Sequence, residues 1–345
     1  MYCIGVDHHK QYSLMTVLDG EGREVKTGRM TNTRADIGEF LRGLEGEAKA
    51  VIEAGRASFE MAELLEDMGI DVTVAHAAKV KAIASARIKT DKRDARVLAD
   101  LLRAGLIPAV YQRGGENREA QRVLRLRAFF VKQQTQVKNK IYGLLAHQGE
   151  EVRQAAERIR DLFTAKGLEA LERLALGGKD QEILQALVKA CRHLAALVKE
   201  SDGLVRELYG ELETARLIDT VPGFGVTLAV LVAVEIADIG RFRRASELHS
   251  YAGLIPSTYS SGDRTYHGRI TKQGNGWLRW ALVEAVYPAI KVDHDLRVYY
   301  QKIARRKGAN VAKVATARRL LTVIHKMLKE GRAYVLYPRE KTSAA

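Results

Sequence analysis

Asp91 and Asp94 stand three residues apart at the head of the stretch 88–103, which is otherwise crowded with Lys and Arg. Thr90 is suited to cap a helix there, with Asp91 in its first turn. The spacing puts both carboxylates on one helix face, and Leu98 and Leu101 continue that face toward an expected core. Capping and the helix dipole explain Asp91. They explain Asp94 less well, because an acid on the buried side of a helix needs a partner or a metal. A second set of reactive side chains lies far downstream, in the loop-like stretch 251–275. There the candidate nucleophiles Ser257, Tyr259, Ser260 and Ser261 are interspersed with Arg264, Arg269 and Lys272, which suit phosphate oxygens. No His or Asp relay of hydrolase type accompanies them, so a serine here needs activation by a metal or by a base from another part of the chain.

The acids need a scaffold, and 1–112 reads as one. Strand-like runs are expected at 2–7, 12–18 and 24–30, with Asp19-Gly20 and Glu21-Gly22 marking a hairpin. A helix beginning near Thr33 places Ile37, Phe40, Leu41 and Leu44 on one face. A strand at 48–53, a helix at 58–68, a strand at 71–75 and the helix opening at Asp91 complete the series. This order predicts a ribonuclease-H-like α/β domain, a fold in which acids from the first strand, the fourth strand and a late helix converge on two divalent metals. Asp7 ends the first strand and Glu53 the fourth, outside the carboxyl ends where open α/β sheets present ligands. With Asp91 and Asp94 they suit two Mg2+ ions about 4 Å apart, clamping the attacking and leaving oxygens of a phosphodiester. His8 and His9 follow Asp7 and point opposite ways in an extended chain, so they cannot both face one metal and are read as loop residues, at most one of them near a substrate phosphate.

Residues 113–215 read as long helices. No proline occurs between Asn117 and Phe163, and Val123, Leu126, Phe130, Val137, Ile141 and Leu144 keep a coiled-coil-like seam. Arg118, Arg122, Arg125, Arg127, Lys132, Lys138 and Lys140 surround it, a face able to follow a phosphate backbone or simply to be solvated. A second seam runs through Leu184, Leu187, Cys191, Leu194, Val198, Val205, Leu208 and Leu212, with only Ser201 out of character. The pair is either an intramolecular hairpin or a dimerising coiled coil, and a contribution to assembly is expected. In the third part, 216–345, the stretch 218–229 resembles a helix-hairpin-helix element, whose Gly223 and Gly225 would let backbone amides approach phosphates without sequence preference.

The chain of 345 residues carries a net charge of +14, unevenly placed. Acidic residues outnumber basic ones by one in 1–112, basic residues lead by three in 113–215, and 216–345 holds 22 basic against 10 acidic residues. Such a localised surplus points to a polyanion partner, nucleic acid above all. Two cysteines, Cys3 and Cys191, make neither a disulfide framework nor a zinc site. With no signal peptide and no transmembrane span to be read, a reducing cytoplasm is the expected compartment.

Gly5-Val-Asp-His-His-Lys10, the strand end at Glu53, Thr90-Asp-Lys-Arg-Asp-Ala95, Val221-Pro-Gly-Phe-Gly225, Gly253-Leu-Ile-Pro256, Ser260-Ser-Gly262 and Gly268-Arg-Ile-Thr-Lys272 together resemble the DEDD transposases of the insertion sequence 110 family, in order and over nearly the whole chain. Asn275-Gly-Trp-Leu-Arg279 and a C-terminal helix over 309–328 also fit. The resemblance implies an α/β plus all-α protein: a RuvC-like, ribonuclease-H-like domain over 1–112, a helical coiled-coil segment over 113–215, and a mostly helical, serine-bearing transposase domain over 216–345. It implies a bacterial or archaeal, nucleoid-associated recombinase guided by a structured bridge RNA that pairs with donor and target DNA, with Mg2+, a covalent phosphoserine intermediate, and a homo-oligomer between dimer and tetramer. Carried over residue by residue, Asp7, Glu53, Asp91 and Asp94 would be the metal-binding tetrad. The serine before glycine, Ser261, would be the nucleophile, with Ser260 beside it as the alternative. Arg264, Arg269 and Lys272 would stabilise the transferring phosphoryl. The rival readings are a RuvC-like junction nuclease in which water attacks, and a nucleic-acid-binding protein without catalysis.

Overall fold

The computed structural model describes residues 1–55, 57–84, 90–112, 114–261 and 264–336, with the backbone alone at 258–261, 264, 265 and 267. The chain is mixed α/β, mostly helical with a central sheet, and forms two compact units, Met1–Arg113 and Gly114–Ala345.

The first unit is built on five strands: β1 (Tyr2–His8), β2 (Tyr12–Leu18), β3 (Glu24–Thr31), β4 (Ala48–Glu53) and β5 (Asp71–Ala75). Helices α1 (Arg34–Leu41), α2 (Ser58–Glu66), α3 (Ala77–Ile83) and α4 (Asp91–Arg103) join and flank them. The sheet order is β3-β2-β1-β4-β5, with β1 antiparallel to β2 and parallel to β4. Alternation along β1 decides what each face carries. Ile4 and Val6 are fully buried in a core shared with Ile37 and Phe40 of α1 and Met61 and Leu65 of α2. Gly5 and Asp7 point the other way, toward α4, whose Leu98 and Leu101 join Val51, Ala75 and Val80 in the core of the second face. The expected cap of α4 is present: Thr90 Oγ1 accepts the Arg93 N–H at 3.3 Å.

The second unit opens with α5 (Gly115–Ala146), α6 (Glu150–Glu157), α7 (Ala165–Glu172) and α8 (Lys179–Glu211). The first long helix ends at Ala146, just past Leu144, the last residue of its seam. Gly149 then starts α6, and the short helices fold back to bury Ala156, Leu168 and Leu171 against Ile141, Leu145, Leu184, Val188 and Cys191. Leu126, placed in the seam by its spacing, is 42% exposed, while Leu124 is buried in its stead. Ser201 is buried and donates to the Val198 carbonyl at 2.8 Å, which removes its misfit from the apolar seam. At the far ends of these helices, Ala120, Leu124 and Val205 enter the core of the rest of the unit. That core is built on α9 (Glu213–Asp219), α10 (Val226–Ile236), α11 (Ala245–Tyr251), α12 (Gly276–Val292), α13 (His294–Lys307) and α14 (Ala309–Glu330). Between α11 and α12 the stretch expected as a loop is a hairpin of two antiparallel strands, β6 (Pro256–Ser261) and β7 (Arg264–Ile270), which form a two-stranded sheet among the described residues.

Candidate metal centre and serine hairpin

Gly5 determines how the acids meet. A Cβ there would lie 1.8 Å from the Ala95 carbonyl oxygen and 2.7 Å from the Ala99 nitrogen, so α4 lies directly on the backbone of β1. The helix turn ahead of Ala95 carries Asp91 and Asp94 to the end of β1 where Asp7 stands. The small residues Gly5, Ala95 and Ala99 are the signal for this approach, and no motif of acids alone contains them.

At that end, His9 occupies the space between two carboxylates, its Nε2 3.3 Å from Asp7 Oδ2 and 3.3 Å from Asp91 Oδ2. Asp7, His9 and Asp91 each offer a ligand atom within 4.8 Å of the others. Tyr12 closes the arrangement, its hydroxyl donating to Asp91 Oδ2 at 3.1 Å, its ring 4.6 Å from that of His9 and 3.6 Å below the Arg29 guanidinium carbon. Burial pushes the Asp7 carboxyl above its ordinary range, and the charges of Asp91 and Asp94 push the same way against His9. Burial is also the main reason the Tyr12 hydroxyl is raised, helped by its bond to Asp91. His8 turns to the other side, 2.9 Å from Ser13 Oγ, which donates to Asn32 Oδ1 at 2.7 Å. Asn32 in turn donates to the His9 carbonyl at 2.8 Å and so fixes the loop that presents the imidazole. His9 is therefore part of the site rather than of a free loop.

Asp94 is partly buried one turn along from Asp91, close enough for its charge to act on Asp7. Glu53 is exposed at the end of β4; the register that pairs Val6 with Ile52 sets it beside Asp7 on the adjoining strand, yet its carboxylate is outside the three-residue group. The structure thus gathers Asp7 and Asp91 closely, with Asp94 near and Glu53 on the neighbouring strand end.

The remaining expected site residues belong to the second unit. Ser261 ends β6 opposite Arg264, and the side chains of Ser260, Ser261 and Arg264 lie outside the described residues. Arg269 and Lys272 are exposed on the returning leg, Lys272 with φ 53°. Gly223 and Gly225 have different surroundings: a Cβ on Gly223 would lie 2.5 Å from the Ala285 carbonyl of α12, whereas Gly225, at the start of α10, faces open space. Glycine at 223 is thus accounted for by helix packing, and the phosphate reading rests on Gly225. Arg122 is exposed on α5, but the Arg125 guanidinium is taken up by the buried Glu235 and stacks 4.0 Å from the Trp277 ring centroid. Among the described residues no helix is long and apolar enough to cross a membrane.

Comparison with known proteins adds to this geometry. Residues 4–148 match a family model for the DEDD transposases of the IS110 type, and residues 215–301 match the model described as the transposase IS116/IS110/IS902 family. Together the two segments take in more than half of the chain. The chain is 25% identical to the transposase for insertion sequence element IS1111A of Coxiella burnetii over 96% of its own length and 90% of the relative's. It is 26% identical to a probable family 20 transposase of Pseudomonas aeruginosa, covering 96% of this chain and 98% of that one. An IS110 insertion-element protein of Streptomyces coelicolor is 31% identical over 145 residues, 41% of this chain and 36% of its own.

Proposed function

The chain belongs to the IS110-type family of insertion-sequence transposases, and from that premise we propose that it exchanges DNA strands through a serine–DNA ester, with its first unit holding divalent cations. The observation that carries the reading is the meeting of Asp7, His9 and Asp91 where α4 lies on Gly5. The donor set fits a cation: burial holds Asp7 above its ordinary range with the charges of Asp91 and Asp94 adding to it, and His9 Nε2 lies 3.3 Å from both the Asp7 and the Asp91 carboxylates. Asp7 and Asp91, with Asp94 and Glu53 alongside, would hold Mg2+ ions, which supply Lewis acidity to phosphate oxygens and a field that favours an alkoxide. The sheet order with β1 at its centre supports the ribonuclease-H-like reading of this unit.

The chain's own residues divide the remaining work. Ser261 gives up its hydroxyl proton and its oxygen attacks the scissile phosphorus; the bond to the leaving DNA oxygen breaks and that oxygen takes up a proton, so one DNA phosphodiester becomes one serine–DNA phosphodiester. A free DNA hydroxyl then attacks that ester and releases the serine, and the number of phosphate ester bonds is unchanged. Arg264, Arg269 and Lys272, around the hairpin, stabilise charge on the transferring phosphoryl. Arg122 and the open start of α10 at Gly225 contact nucleic-acid backbone. Pairing with donor and target DNA is assigned to a structured bridge RNA, which makes target choice a property of that RNA. Assembly into a dimer or tetramer is assigned to α5 and α8. The division into 1–112, 113–215 and 216–345 is kept as a functional one: cation binding, assembly and strand transfer.

Covalent trapping on DNA substrates tests the central step. Ser261→Ala abolishes the protein–DNA adduct while Ser260→Ala retains it; the reverse moves the nucleophile to Ser260. Cleaved DNA free of protein in both would mean that water attacks.

A further inference from the structure

The chemistry above gives no role to a carboxylate buried in the second unit. Glu235 is 1% exposed and is the one charged residue of α10, a helix otherwise apolar and buried from Ala229 to Ile236. A carboxylate in such a place is tolerated only when it is paired and hydrogen-bonded. Arg125 and Gln121 of α5 donate to it, the latter at 3.2 Å to Oε2. Asn275, the N-cap of α12, donates to the same oxygen at 2.6 Å, and the Tyr251 hydroxyl donates to the Glu235 carbonyl at 3.3 Å.

Tyr251 and Asn275 are the points from which the serine hairpin leaves and to which it returns. Between them the Asn275 N–H donates to the Tyr251 carbonyl at 2.7 Å and the Thr271 N–H to the Ile255 carbonyl at 3.0 Å. Arg279 adds a bond from Nη1 to the Ala252 carbonyl at 3.0 Å. The legs cross too closely for side chains: a Cβ on Gly253 would lie 2.6 Å from the Gln273 carbonyl oxygen, and one on Gly274 would lie 2.4 Å from that of Tyr251. Lys272 between them holds a positive φ that persists in a non-glycine residue only where the surroundings fix it. Beyond this base, among the described residues, β6 and β7 pair as strands only with each other, and a lone two-stranded hairpin is marginal in water. The described contacts that set the direction of the hairpin therefore lie at its base.

We propose that Glu235 is a positioning residue for the serine hairpin: it gathers Asn275 and Tyr251 with Arg125 and Gln121 into one polar clamp that fixes the base of 256–270 against α5. The proposal rests on the reading of this hairpin as the carrier of the nucleophile. It explains why the only charge in α10 faces the hairpin base, and why Asn275 meets both needs at once, with Oδ1 capping α12 at Trp277 and Leu278 and Nδ2 reaching Glu235.

A reversal of the Asn275–Glu235 pair in the full chain tests the clamp, read by amide hydrogen exchange over 256–270 and by the rate of serine–DNA adduct formation. Asn275→Asp keeps the cap but sets two carboxylates against each other. It raises hairpin exchange about tenfold while α14 is unchanged. It also slows adduct formation at saturating DNA about tenfold or more, with the half-saturating DNA concentration unchanged. Adding Glu235→Gln restores a donor and an acceptor in the opposite sense, keeps the total charge, and recovers both readouts. Should Asn275→Asp fail to fold, Tyr251→Phe, which removes one hydroxyl, gives a smaller increase in the same exchange. Wild-type hairpin exchange in Asn275→Asp or, if that variant does not fold, in Tyr251→Phe overturns the proposal, as does a double variant no better than Asn275→Asp. Rescued exchange in a protein whose wild type forms no adduct upholds the clamp and overturns the serine reading instead.

Discussion

Asp7 and Glu235 are carboxylates in opposite circumstances. Asp7 keeps 22% of its side chain exposed, has Asp91 and Asp94 for neighbours, and is held above its ordinary range by burial and by those charges against the opposing pull of His9. Glu235 is 1% exposed and receives donors from Arg125, Gln121 and Asn275. One carboxylate is crowded by its own kind, and the other is satisfied. An acid saturated with donors holds elements together, whereas acids that repel one another at a strand end cost the fold stability and are retained for what they can bind. Burial alone would have ranked the two the wrong way round for chemistry.

The largest effect that could break this contrast comes from neutralising each acid in turn. Asp7→Asn lowers transposition at least about a thousandfold in a plasmid excision assay, yet the thermal midpoint of the protein does not fall and is expected to rise. Glu235→Ala does the reverse on stability, costing about 3 kcal/mol by chemical denaturation because it leaves Arg125 without its buried partner. The pH dependence has a definite sign. The folded pKa of Asp7 lies above its ordinary 3.8, so the folded chain binds a proton before the unfolded chain as pH falls. The stability advantage of Asp7→Asn over the wild type is present at neutral pH and narrows as pH falls through the raised pKa. A drop in stability of Asp7→Asn at pH 7 would erase the contrast.

Next in size is Gly5→Ala. The added Cβ meets the Ala95 carbonyl and forces α4 off β1, a cost of about 1–3 kcal/mol by thermal or denaturant unfolding. The same shift separates Asp91 from Asp7, so activity falls further than stability explains. Equal losses in Gly5→Ala and in a purely core variant such as Leu98→Ala would mean that the approach of α4 serves packing alone.

Much of the first unit was legible in the sequence because its determinants are local. Strand-like runs mark β1, β2 and β4, turn residues divide β2 from β3, and Thr90 announces the start of α4. What escaped depends on contacts between distant residues. That Gly5 admits Ala95 and Ala99 is a property of two surfaces in contact, invisible in either stretch. His9 reads as a loop residue because it and His8 point opposite ways in an extended chain, and the Ser13–Asn32 bonds that redirect the loop come from two other strands' ends. Arg125 reads as free to meet phosphate because its acid lies 110 positions away in a helix with no other charge. The seam of α5 leaves the spacing at Leu126 because a heptad pattern says which residues repeat, whereas the neighbours decide which are covered, and Leu124 is the buried one. The stretch 251–275 looks like a loop from its glycines and serines, yet Gly253 and Gly274 serve the crossing of the legs, and β6 and β7 form beyond them.

The claim that joins these observations is that the first unit holds a divalent cation on Asp7 and Asp91. Mn2+ titration of the full chain, followed by the loss of the free-ion electron paramagnetic resonance signal, tests it most directly. Saturable binding is predicted in the wild type, weakened about 100-fold or more in Asp7→Asn and in Asp91→Asn and unchanged in Glu235→Gln. Binding of equal strength in the wild type and Asp7→Asn, or none in the wild type, would contradict it.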